Sequence, residues 1–150
     1  MCSFITKRVT IIELKVNRCY NFITKKVIKL ERPVVMKILY KNSAAKKSFC
    51  SEHKKKWKYP DVVKTKLISI ENYIKSASSF SDLASYVPYR LERLVGDRKN
   101  EWSIRVGNTG YRVTMIPCDD EGNEIIEGDI LKEAKFIKIV KVTEVSNHYE

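Results

Sequence analysis

The residues able to do chemistry fall into a few short groups. Arg105 and Arg112 sit in SIRVGNTGYRV (103–113), two alternating runs joined by GNTG. If Val106 and Tyr111 flank that loop as a strand pair, Arg105 lies directly opposite Arg112. Two like charges opposed across strands destabilise by a few tenths to about 1 kcal/mol. An anion between them relieves this, and phosphate suits the guanidinium fork, which donates two parallel hydrogen bonds. The competing reading is that both arginines pair with acids such as Glu101 or Glu144. Arg98 and Lys99 stand on the preceding turn. Lys54, Lys55 and Lys56 form a dense basic cluster fitted to nucleic-acid phosphates, and Asn147, His148 and Tyr149 stand just before the final Glu150. An unperturbed imidazole titrates near ~6.5, so His148 can take or give a proton at neutral pH. Tyr149 could donate a proton or stack on a base. The bland alternative for both is a solvated tail.

These residues need a scaffold, and the composition supplies one. The chain has 150 residues, 43% of them hydrophobic, and only five Gly and four Pro. That is enough apolar material for one domain and too few breakers for a disordered chain. A formal net charge of +11 points to a polyanionic partner. Cys2, Cys19, Cys50 and Cys118 fit no metal-binding spacing, so neither metal nor cofactor is expected. There is no apolar run of membrane-spanning length and no secretory signal, so we expect a cytoplasmic protein that makes no membrane contact.

The chain divides near Val35. Residues 1–35 carry net +6 and the remainder +5. VTIIELKV (9–16) reads as a strand and NFITKKVIKL (21–30) as an amphipathic helix, together an extension that is accessory or not part of the native start. From Met36 the pattern predicts a strand over 36–41. A helix over 44–57 follows, capped by Asn42 or Ser43, with Ala45, Phe49, His53 and Trp57 buried. Asp61 then caps a helix with Val63, Leu67, Ile70 and Ile74 inward. Next, 89–95, 101–106 and 111–116 alternate as antiparallel strands. Residues 117–134 read as an acidic exposed loop, and 136–146 as a long central strand. The expected fold is α+β: a helical hairpin on one face of a small antiparallel sheet.

The block LVGDRKNEWSIRVGNTGYRV (94–113) resembles one in the RelE/HigB superfamily of bacterial toxins, the killer proteins of type II toxin–antitoxin modules. The likeness covers most of 36–150 and leaves out 1–35. It implies a RelE-like fold and a ribosome-dependent mRNA endonuclease, working without metal and silenced by a cognate antitoxin. The family's basic residues after the GDRK turn fall on Arg98 and Lys99. Its strand arginine falls on Arg105, and the arginine of its aromatic–arginine pair on Arg112. The C-terminal Asn147-His148-Tyr149 is similar to the Asp-Tyr-His ending of the HigB-like branch, with the last two exchanged and the acid an amide. The implied catalytic set is Arg105, Arg112, His148 and Tyr149. Arg98, Lys99, Lys54, Lys55, Lys56 and Asn147 would hold RNA. Two other functions fit the same features: a noncatalytic toxin of this fold directed at gyrase, and a basic RNA-binding or ribosome-associated module.

Overall fold

The computed structural model describes residues 35–147. The expected strand over 9–16 and helix over 21–30 lie outside them. Five strands form one sheet: β1 (Lys37–Tyr40), β2 (Glu92–Arg93), β3 (Trp102–Arg105), β4 (Tyr111–Cys118) and β5 (Ile139–Asn147). Their order is β1-β5-β4-β3-β2. The expected sheet was wholly antiparallel, but β1 runs parallel to β5, so the sheet is mixed. A parallel pair needs a long crossover rather than a hairpin, and here everything between the first and last strands serves as one.

Helices α1 (Ser43–Phe49), α2 (Asp61–Ser76), α3 (Phe80–Ser85) and α4 (Ile130–Glu133) complete the described fold, with short 3-10 segments between them. Asn42 caps α1, its side chain accepting from Ala45 N–H at 2.8 Å. The helix expected to reach residue 57 stops at Phe49 and gives way to a 3-10 turn, Ser51–Lys56. Two side chains account for the break. The indole of Trp57 donates to the Lys47 carbonyl, and the Ser51 N–H donates to the Glu71 carboxylate, both at 2.8 Å. The Lys47–Ser51 backbone pair that would continue the helix is thereby replaced at both ends. In α2 the cap position belongs to Pro60 rather than Asp61, which is the first helical residue. A proline loses nothing there, since its missing N–H would have had no partner.

Val63, Leu67, Ile70 and Ile74 of α2 are buried, and share one core with Trp102, Ile104, Val113, Met115, Val140 and Val142 of the sheet. Each such side chain, fully buried, stabilises by roughly 1.5–3 kcal/mol. The strand expected over 89–95 shrinks to two residues, because Val87–Tyr89 forms a 3-10 turn that ends on Arg90 in the left-handed region. The last strand begins at Ile139 rather than 136, leaving Phe136 67% exposed. Residues 117–134 are more ordered than expected: β4 runs to Cys118, a bridge joins Cys118 to Glu124, and Ile130 and Ala134 are buried. No helix among the described residues is long and apolar enough to cross a membrane.

Candidate functional site

The GNTG loop sets the register that the site depends on. Gly107 and Gly110 take positive φ angles of 58° and 83°, which a side chain would oppose. Val106 N–H donates to the Tyr111 carbonyl at 2.9 Å, closing the hairpin. Arg105 and Arg112 are therefore the next pair, as expected. They are a non-hydrogen-bonded pair, the closer kind, with ~4.5 Å between Cα atoms. Ile104 and Val113 point into the core, so both guanidiniums project from the opposite face of the sheet.

A carboxylate already stands between them. Glu92 Oε2 accepts from Arg112 Nη1 at 2.9 Å, and its Oε1 accepts from Arg105 Nη2 at 3.4 Å. The competing reading of the sequence put Glu101 or Glu144 at this position; both instead hold Arg98, at 2.6 and 2.7 Å. The geometry explains the exchange. Glu92 faces Ser103 across β2–β3, and Ser103 faces Thr114 across β3–β4. Glu92 thus sits one diagonal step from Arg105 on the same face, and Arg112, one strand farther, reaches back past Ser103 to meet it. The Arg112 hydrogen bond holds the Glu92 carboxyl below its usual range, and the nearby Arg105 charge adds to this. Arg112 also donates to Ser103 Oγ at 3.3 Å and is only 17% exposed, against 37% for Arg105.

The cluster keeps a net positive charge and an unspent donor. Arg105 Nε is enclosed, with no hydrogen-bond partner among the described residues. A buried donor left unpaired costs about 1–3 kcal/mol. Beside it, Arg98 staples the GDRK turn to the sheet through Glu101 and Glu144. A bulge between Thr114 and Met115 leaves Thr143 unpaired in the β4–β5 ladder. Its hydroxyl lies 3.1 Å from both Glu101 Oε2 and the Thr114 carbonyl, and donates to one at a time. The turn is thus tied down through a chain of polar contacts, and Arg98 is not a free cation.

The other expected residues are more dispersed. Lys99 is exposed on the turn, and its carbonyl accepts from Arg93 Nε at 2.7 Å. Lys54, Lys55 and Lys56 are exposed on the 3-10 turn rather than on a helix face. Asn147 pairs in register with Tyr111, beside the arginine hairpin. His148 and Tyr149 lie outside the described residues. Glu92 is the residue the sequence reading missed. Its only signal was a charge at alternating spacing in a run that looked like a longer strand. The described residues hold no group of three His, Cys, Asp or Glu arranged for a metal ion. A scan against protein-family models, a search of the curated proteins and a search of the solved structures each found no match.

Proposed function

We propose that this chain is a RelE/HigB-like toxin: a cytoplasmic endoribonuclease that cuts mRNA on the ribosome and is neutralised by a partner antitoxin. The observation that carries the reading is the in-register arginine pair, two guanidiniums that share one carboxylate and so keep a net positive charge. In the proposed reaction the RNA 2′-oxygen attacks the adjacent phosphorus. The P–O bond to the 5′-oxygen breaks, leaving a 2′,3′-cyclic phosphate and a free 5′-hydroxyl. Arg105 and Arg112 stabilise the charge gathering on the non-bridging oxygens. One group must accept the 2′-hydroxyl proton and another must protonate the leaving 5′-oxygen, which is the work assigned to His148 and Tyr149. Glu92 yields donors of Arg112 and Arg105 to the phosphate as it binds. Arg98 acts by fixing the turn on which Lys99 meets RNA, and the lysines at 54–56 contact ribosomal RNA phosphates.

The test is induction of the chain in a bacterium, with mRNA 5′ ends mapped for wild type and Arg112→Ala. New 5′ ends within translated frames, lost in the variant, are expected. Growth arrest without new ends would reject the nuclease and favour a noncatalytic target such as gyrase. A second reading, a noncatalytic RNA-binding module, is favoured by one specific feature: Glu92 already pairs with both arginines. It predicts ribosome association, no cutting, and indifference to His148→Ala.

A further inference from the structure

A second basic feature lies on another surface of the domain, between α2, the Val87–Tyr89 turn and the GNTG loop. Two hollows of about 420 and 190 Å³ share Lys66, Pro88 and Gly107 as lining. The larger is within the ~300–1,000 Å³ usual for small-ligand sites. It also takes in Arg90 and Asn108, and the smaller takes in Tyr86. No carboxylate lines either hollow, and neither Lys66 nor Arg90 has an ion-pair partner among the described residues. Two further details are local. Arg90 holds φ 45° and ψ 60°, a left-handed conformation unusual for arginine, where glycine would be cheaper. Gly107 has no side chain where Lys66 crosses the loop: a Cβ there would lie 2.6 Å from the lysine Cε. The backbone therefore accepts strain at one cation and makes room for the other. Tyr86, 41% exposed, is braced by Tyr73 and Tyr89 at ring distances of 5.0 and 4.5 Å.

We infer that this groove is a single-stranded RNA subsite, in which a base stacks on Tyr86 and the flanking phosphates meet Lys66 and Arg90. Unpaired cations beside a braced, half-exposed aromatic ring are the combination that holds single-stranded nucleic acid without reading its sequence. The GNTG loop connects the two sites, since Gly107 is two residues beyond Arg105 in the same hairpin. A strand crossing the arginine pair would pass over that loop to reach the groove. The inference rests on the RNA-binding part of the proposed function and is independent of its cleavage step.

The experiment measures binding of the full chain to a 5′-labelled, random-sequence RNA octamer by fluorescence anisotropy across a salt series. Tyr86→Ala should weaken binding on the order of tenfold, with an unchanged salt dependence, because stacking releases no counterions. Arg90→Gly should reduce the slope of log K against log salt by about 0.7, the value for one phosphate contact on a single strand. Its melting temperature should equal or exceed wild type, because glycine relieves the left-handed strain, so lost binding cannot be blamed on lost fold. Lys66→Gln gives an independent reading of the same slope. Wild-type affinity and slope in all three variants would overturn the inference. So would a polyglutamate peptide that displaces no RNA yet loses its own binding in these variants, since the groove would then take an acidic protein segment. If the variants lose octamer binding while wild type cuts no mRNA during translation, the nuclease reading fails and the groove stands. If wild type cuts mRNA but octamer binding ignores the groove, the reverse holds.

Discussion

Glu92→Gln separates the structural role of the arginine cluster from its proposed chemical one. In the wild type the carboxylate bonds Arg112 at 2.9 Å and approaches Arg105 at 3.4 Å. The Arg105 contact is long and exposed and contributes little. The Arg112 bond is better enclosed; replacing its charged acceptor by an amide should lose about 1 kcal/mol. The substitution also unmasks the repulsion between the opposed guanidiniums, worth a few tenths to about 1 kcal/mol. The sum, about 1–2 kcal/mol, should lower the melting temperature by roughly 4–8 °C for a domain of this size. Inorganic phosphate should then rescue the variant. An anion at ten times its Kd contributes about 1.4 kcal/mol, and in Glu92→Gln it no longer competes with a built-in carboxylate. Wild type should gain less from the same phosphate, and the double variant Glu92→Gln/Arg112→Ala should gain least. The wild-type bridge also has a defined pH window. Because the folded carboxyl lies below the usual glutamate value, its stabilisation is present above that value and is lost as pH falls through the lowered one. Thermal melts with and without phosphate measure all of this. An unchanged melting temperature in Glu92→Gln, or equal phosphate shifts in variant and wild type, would refute both the bridging role and the anion site.

Four further outcomes are expected. Arg112→Ala should abolish mRNA cutting at a stability cost of about 1 kcal/mol by thermal melt; the loss of its Glu92 bond offsets the relief of repulsion, so no rise in melting temperature follows. His148→Ala should slow cutting roughly 10²–10⁴-fold if the imidazole moves a proton, measured on translated mRNA, and should leave the melt unchanged. Replacing Lys54, Lys55 and Lys56 together by Ala should weaken ribosome sedimentation and flatten its salt dependence, with wild-type binding across salt rejecting their phosphate role. Glu71 is buried; burial raises its pKa, but hydrogen bonds from Lys75 and Ser51 outweigh that and bring it below the usual value. Glu71→Ala should cost about 1–3 kcal/mol in urea melts by orphaning the Ser51 N–H. The Glu71 contribution in wild type should fade as pH drops through that lowered value, a slope that Glu71→Gln removes.

The parts legible in the sequence were those set by local rules. GNTG fixes its own hairpin register through two glycines at positive φ, so the opposition of Arg105 and Arg112 followed from loop length alone. The α2 stripe followed from its spacing of three and four residues. The failures involve groups distant in sequence competing for backbone partners. The first helix ends early because Glu71, twenty residues on, takes the Ser51 N–H. The parallel pairing of β1 with β5 joins the two ends of the described chain, and no window of sequence contains both.

Glu92 shows why a site's electrostatics are harder to read than its register. Register is a property of one hairpin, whereas the partner of a charge depends on which third strand lies alongside. The alternation in 89–95 suggested a strand but not its neighbour, and β2 has only two residues with which to declare its pairing. Once Glu92 faces Ser103, its diagonal reach to Arg105 follows, and Arg112 meets it past Ser103. Glu101 and Glu144 are then released to clamp Arg98. The consequence is chemical as well as structural. In the proposed site, the carboxylate that bridges the two guanidiniums would hold them in the spacing a phosphate needs and keep them ordered when no ligand is bound. It also opposes every anion that enters, so the same residue preorganises the site and lowers its affinity. Removing it should therefore tighten phosphate binding while loosening the fold. A purely structural ion pair would show only the second effect.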